Sequence, residues 1–311
     1  MSEQYFEENI EIPRLKKGDK IFHYTSAAGL QGIIENKEFW ITECLFLNDT
    51  TEFKIGKKII EEVLESNISK KQILNAFLDL FHMHLSKNLE DKNYYIISFC
   101  LDEDSPLMWA AYSNFMGYSL KFDFDKLLHS FDIKKLEHGK VIYNHEEQKN
   151  LVEKTINHYF FKKGIINSSN SILNNIVNNL KNWDDFNDSI DEIHLNLYAI
   201  ILAIICEYYN MFFKKESFKG EHEYRFIFPC TNESNDNDKK WFNVDIPQKF
   251  RIKNETLIPY IKCKIKEMNF LEGVIVGPKN NSDIAVRGIE YFLKSKGIDV
   301  LVKKSELPLR Y

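Results

Sequence analysis

Short alternating runs of apolar and polar residues are separated, through the first 144 positions, by stretches with an apolar residue every three or four. These are the periods of strand and helix. KIFHYTS reads as a strand carrying His23, and Ser26 stands where it can cap the helix AAGLQGIIENK, whose Leu30, Ile33 and Ile34 share a face. FWIT (39–42) predicts a second strand, followed by the turn LNDTTEF and a helix over about 51–65. A further helix over about 68–87 shows an inner stripe of Ile73, Phe77, Leu80 and Phe81. YYIISFC (94–100) has the content of a buried strand. LMWAAYSN predicts one or two helical turns, and GYSLKFDF (117–124) and KVIYN (140–144) predict strands.

The pattern changes near residue 145. Residues 145–215 are rich in Asn, Lys and Ile with helical spacing, which predicts an insertion of two to four helices. Strand character returns at EYRFIFPC (223–230), and KWFNVDIP beyond a polar loop predicts a long-looped hairpin with it. The tail reads as a β–α–β unit: IKEMNFLEGVIVGP, a helix SDIAVRGIEYFLKSKG ending at Gly297, and IDVLVKKS. The fold class expected is therefore α+β, a mixed or antiparallel sheet flanked by helices. Residues 1–18 read as a mobile N-terminal arm and 19–311 as one domain carrying the helical insertion.

Composition narrows the function. Apolar residues make up 44% of the chain, with 24 Phe and 15 Tyr, enough for a core rich in aromatic contacts. The net charge of −5 gives no overall attraction to nucleic acid or an anionic membrane. The five cysteines are scattered and form no CxxC pair, so they read as buried thiols and no metal is expected. The N-terminus has no apolar leader, and the longest apolar run, Leu197 to Cys206, is too short to cross a bilayer. The expectation is a cytoplasmic protein without a membrane partner. Walker, GxGxxG, HExxH, GxSxG and SxxK patterns are all absent.

Four segments carry candidate chemistry. His23, with Tyr24 and Thr25 beside it, either orients a ligand or caps a turn. Asn48, Asp49 and Glu52 form a polar cluster or simply cap the helix after them. Trp109 and Tyr112 share a helical side, where their rings either sandwich a ligand or pack in the core. In GEHEYRFIF, a strand would place Glu221, Glu223 and Arg225 on one face, an expensive set to bury without purpose.

The ordered set HYTSAAGLQGII, FWITECLFLNDTTEF, YYIISFCLDEDSPLMWAAYSNFMGYSLKF, GEHEYRFIF, GVIVGP and KKSELPLRY resembles a large, mostly bacterial family catalogued as a domain of unknown function. That resemblance runs from about residue 20 to the C-terminus, with 145–215 the poorly matching part. A weaker likeness is to the His-Tyr-Glu type of the ADP-ribosyltransferase superfamily. It implies NAD as cofactor, His23 orienting the NAD ribose, Tyr112 stacking on nicotinamide with Tyr118 as rival, Glu223 on a ribose hydroxyl and Glu221 activating an acceptor. The expected function is NAD-dependent ADP-ribosyl transfer or NAD hydrolysis in a toxin or phage-defence role. The alternative is a module that senses or binds a nucleotide or nucleic acid, and a smaller third reading is a nuclease with Asp49, Glu52, Glu221 and Glu223 on a metal. A small-molecule nucleotide is the expected partner, with a protein or nucleic-acid acceptor and a homo-oligomer through the helical insertion as further expectations.

Overall fold

Two long strands, β3 (Asn93–Cys100) and β6 (Glu223–Thr231), lie antiparallel at the centre, with Asn93 opposite Cys230 and Cys100 opposite Glu223. They are buried on both faces, as continuous apolar runs require. The structure is a computed structural model that describes residues 10, 12–49, 53–91, 93–133, 135–161, 180–231, 243–244, 246–253, 255–280 and 282–308. Glu52 and Thr50, the loop 232–242 and residues 162–179 of the helical segment lie outside the described residues.

Around that pair the sheet forks. Strand β1 (Lys20–Thr25) and strand β2 (Glu38–Glu43) both pair on the edge of β3 that β6 leaves free. Strand β1 meets it only at Cys100, opposite Phe22, and β2 only at Tyr95 and Ile96, opposite Glu43 and Thr42. Ile97–Phe99 therefore have no strand beside them on that edge. One arm of the fork continues from β1 through β4 (Tyr118–Asp123) and β10 (Leu271–Val276) to β11 (Leu301–Lys304). The other continues from β2 through β9 (Thr256–Lys264) to the edge strand β8 (Lys249–Lys253). Helix α1 (Ala27–Asn36) bridges the arms. Ser26 Oγ accepts the Gly29 N–H at 3.1 Å at its start, as the sequence predicts.

Helices cover both faces. On one side lie α2 (Ile55–Asn67), α3 (Lys71–Asp91), α6 (His145–Phe161), α7 (Trp183–Ser189) and α8 (Glu192–Asn210), packed on Tyr94, Ile96 and Ile227. On the other side Leu30, Ile33 and Ile34 of α1, Leu127 of α5 (Phe124–Ser130) and Ile289 and Leu293 of α9 (Ser282–Ser295) join Phe39, Phe99, Phe122, Phe226 and Phe228. A third cluster gathers Phe22, Tyr24, Met108 and Trp109 under α4 (Pro106–Ser113).

The α+β class stands, and the tail is the predicted β–α–β unit, with β10 and β11 parallel. Several local expectations change. The strand expected over 140–144 is β5 (Glu137–Lys140) on β6, while Ile142 only bridges Phe213. The partner beyond the polar loop, β7 (Asn243–Val244), runs parallel to β6, which a hairpin would not. The hairpin of β8 and β9 was not expected; Lys249–Lys253 forms its exposed edge. Within 145–215, α8 buries eleven residues in the helical layer that covers the central strands. Within the segment read as an arm, Ile10 and Ile12 are buried in that same layer, and the Pro13 carbonyl accepts from Lys140 N at 2.9 Å.

Candidate functional site

The fork opens on two adjoining cavities. One, of about 260 Å³, is lined by His23, Trp40, Thr42, Phe46, Leu47, Asn48, Ile96, Ile97, Ser98, Tyr112, Lys214, Glu223, Arg251, Lys253 and Ile258. The other, of about 170 Å³, lies under α1 against Thr25, Ala28, Gly29, Gly32, Ile33, Glu38 and Phe39. His23, Trp40, Ile97 and Arg251 line both. Strand alternation explains the arrangement: His23 and Phe39 point to the α1 face, while Trp40, Thr42 and Arg251 point to the helical-layer face. The two cavities adjoin at the fork, and residues from both faces of the sheet line each of them. Together they have the size of a small-molecule site, typically ~300–1,000 Å³.

His23 packs edge-on to Phe39, with ring centroids 5.9 Å apart, and tilts on Phe99 at 5.7 Å. Burial pulls its pKa down to about 4, against the opposing pull of the Ser98 backbone carbonyl, so the ring is neutral at physiological pH. Tyr112 is 37% exposed at the mouth of the larger cavity. Burial around its hydroxyl, then the nearby carboxylates of Glu221 and Glu223, push its pKa up to about 12.

Glu223 opens β6 and is fully occupied. Its Oε1 accepts from Ser98 Oγ and from Arg225 Nε at 2.8 Å; its Oε2 accepts from Arg225 Nη2 at 3.0 Å and Lys214 Nζ at 3.2 Å. These four donors use the roughly four lone-pair sites a carboxylate offers. Burial by itself would raise the Glu223 pKa, but the charges of Arg225 and Lys214 outweigh it and hold the group well below the usual carboxylate range. Arg225 is wholly buried and gives Nη1 to the Met211 carbonyl at 2.9 Å. Removing one member of such a buried pair costs ~3–5 kcal/mol.

Glu221 does not share the strand face expected for it. It ends a 3-10 turn (Glu216–Glu221), and His222, with φ of +40°, reorients the chain before β6 begins. Its Oε2 accepts from Lys214 Nζ at 2.6 Å, so Lys214 stands between two carboxylates.

The fork thus gathers His23, Thr25, Asn48, Tyr112 and Glu223. It does not gather the rest. Trp109 is fully buried, gives Nε1 to Asp104 at 2.6 Å and packs edge-on against Tyr24 at 4.8 Å. Tyr24 Oη donates to the Asp102 carbonyl at 2.8 Å. Both serve the third core cluster, the commoner fate of aromatics at such spacing. Tyr118 lines a separate groove between α1 and α9, and Arg225 lies beneath Glu223 rather than in the cavity. Asp49 is buried near Asn48 but lines neither cavity. Among the described residues no group of three or more His, Cys, Asp or Glu is placed to hold a metal ion.

Sequence reading missed Arg251, Lys214, Trp40, Ser98 and Lys253. The most informative is Arg251. Its Nη2 donates to Thr42 Oγ1 at 2.7 Å and its guanidinium lies 5.7 Å from the Tyr260 ring, yet its buried Nε has no hydrogen-bond partner. No carboxylate pairs with it among the described residues. The signal was KFRIK, where Lys249, Arg251 and Lys253 share one strand face. Trp40 stacks on Tyr260 at 4.7 Å and gives Nε1 to Glu38 at 2.9 Å, with Lys262 also bonded to Glu38.

An α+β protein with a forked sheet and an arginine-bearing cleft through the fork is the class that fold and site define. A family model described as "Protein of unknown function (DUF2971)" matches residues 108–226, which supports placing the chain in a family of unknown function. The match starts within PLMWAAY, runs through the helical segment 145–215 rather than skirting it, and ends within EYRF. No curated protein and no solved structure matches the chain.

Proposed function

We propose that the fork binds a phosphate-bearing nucleotide, NAD foremost. The observation that carries this reading is Arg251, a guanidinium in the cleft wall whose Nε is buried without a partner and whose charge no carboxylate offsets among the described residues. A planar guanidinium left with free donors suits the two-pronged geometry of a phosphate or pyrophosphate. Lys253 lines the same cavity and adds to a local positive field in a chain of net charge −5. Trp40, 44% exposed, offers a flat surface beside it.

A second reading, cleavage of the bound NAD, has its own support. Nicotinamide would leave with the bonding pair, the ribose cation would be met by the Glu223 carboxylate, and water or an acceptor hydroxyl would add and lose its proton. Glu223 must free a lone pair for this. Lys214 allows it, since its contact with Glu221 at 2.6 Å is shorter than that with Glu223 at 3.2 Å and can hold it alone.

The test is titration of the full chain with NAD by calorimetry, alongside Arg251→Gln. Loss of one charge-assisted phosphate contact is expected to weaken NAD binding by ~10-fold or more, with the melting temperature nearly unchanged because Arg251 makes one side-chain hydrogen bond among the described residues. Equal affinities, or no binding by the wild type, overturn the reading. Free nicotinamide in the same cell decides between binding and cleavage. Glu223→Gln is the poorer probe, since it strips Arg225 of its counter-charge and threatens the fold.

A further inference from the structure

The cavity under α1 shares His23, Trp40, Ile97 and Arg251 with the larger one and adds an apolar wall of its own. Its walls are Phe39, Ile33, Ile97, the His23 ring and the edge of Trp40, closed above by Ala28, Gly29 and Gly32. At about 170 Å³ it compares with the ~150 Å³ of an apolar cavity that accepts benzene. Its polar groups are few: the Thr25 hydroxyl, the His23 ring nitrogens, the Arg251 guanidinium and the Glu38 carboxylate, the last already engaged by Trp40 Nε1 and Lys262. An apolar slot with a few convergent polar groups is the usual shape of a small-ligand site.

Gly32 is the residue the fold itself does not explain. Glycine inside a helix is disfavoured relative to alanine, and α1 holds two. Gly29 has a packing reason, because a Cβ there would stand 2.1 Å from Thr25 Oγ1. At Gly32 an added Cβ would meet nothing closer than Asn36 Nδ2 at 4.0 Å. The slot has room for a methyl group where Gly32 lines it, and a glycine leaves that room free at the expense of helix propensity.

We infer that this slot is the seat of the nucleotide's heteroaromatic ring, entered through the fork, with Gly32 as the residue that admits it. The ring lies between the α1 backbone at Gly29 and Gly32 and the side chains of Phe39 and Ile97. Thr25 and His23 meet its polar edge, and Arg251, which lines both cavities, holds the phosphate where the two adjoin. The inference rests on the nucleotide reading and adds where the ring goes and what selects it.

Ring and phosphate are tested apart. Adenine and nicotinamide, which carry no phosphate, are each presented to the full chain, with binding followed by saturation-transfer NMR on the wild type, Gly32→Ala, Gly32→Leu and Arg251→Gln. At least one ring is expected to bind the wild type, and Arg251→Gln is expected to lose more affinity for NAD than for that ring. Gly32→Ala is expected to weaken ring binding ~10-fold, the effect of one methyl group too many in an apolar pocket, and Gly32→Leu to abolish it. The melting temperature of Gly32→Ala is expected to hold or rise, which separates exclusion of the ring from damage to the helix. Failure of both rings to bind the wild type, insensitivity to Gly32 substitution, or a fall in the Gly32→Ala melting temperature overturns the inference. The nucleotide reading fails on a different result, NAD affinity unmoved by Arg251→Gln, so the two are told apart.

Discussion

At the scale of single residues, the cleft contrasts a histidine kept neutral with a carboxylate kept charged. Burial among Phe39 and Phe99 brings His23 from the ordinary 6.5 down to about 4, and burial then the Arg14 charge bring His138 to about 4 as well. The unfolded chain therefore binds more protons than the folded one between those values. Stability rises with pH through that window and is lost as pH falls through it. Urea titrations across the window are expected to show this acid loss, with a smaller slope in His23→Phe, where only His138 remains to charge. Identical slopes in the two proteins would place the His23 pKa near its ordinary value. Glu223 adds to this loss at the acid end of that range, because Arg225 and Lys214 hold it ionised in the folded protein while the unfolded chain begins to protonate it.

At the scale of elements, the helical layer is tied to the site by groups the local sequence does not reveal. Helix α2 starts at Ile55 without a side-chain cap from Lys54, and one of its first N–H groups is met from afar. Asn210, at the end of α8 and 1% exposed, accepts the Gly56 N–H at 2.8 Å through its Oδ1. Losing a cap of this kind costs ~0.5–2 kcal/mol, and a buried N–H left unsatisfied falls in a similar range. Asn210→Ala is expected to lower the unfolding free energy by ~1–2 kcal/mol, measured by chemical denaturation; a change below experimental error would remove Asn210 from that role. The chain just beyond α8 also reaches the cleft, since Met211 holds Arg225 and Lys214 joins Glu221 to Glu223.

At the scale of the whole molecule, those links make the helical segment part of one cooperative unit. Replacing 145–210 by a short linker would bare Tyr94, Ile96 and Ile227 on the central strands. The shortened chain is expected to lose its cooperative thermal transition by circular dichroism and to bind a hydrophobic dye, as chains with lost core packing do. A cooperative melt near the parent temperature would mean that the sheet and its α1 face fold alone. The fork is a whole-molecule feature too: β1 and β2 converge on β3 from opposite ends of the chain order β11-β10-β4-β1 and β2-β9-β8.

The local pattern determined a good deal. Apolar periodicity marked β1, α1, β3, β4, β6 and the β10–α9–β11 tail, because burial of one face or two imposes that period on the chain itself. It also marked GEHEYRF as unusual, and Glu223 with Arg225 is indeed a buried ion pair. Only the tertiary structure decided what that pair does, since saturation of Glu223 depends on Ser98 from β3 and Lys214 from beyond α8. Tertiary structure alone also separated Tyr112, at the cleft mouth, from Trp109, in the core, although both stand on one helix three positions apart. Arg251 is the clearest case. Its strand is a short exposed edge, and its guanidinium becomes significant only where the sheet forks, because a missing counter-charge is a property of neighbours in space and not of neighbours in sequence.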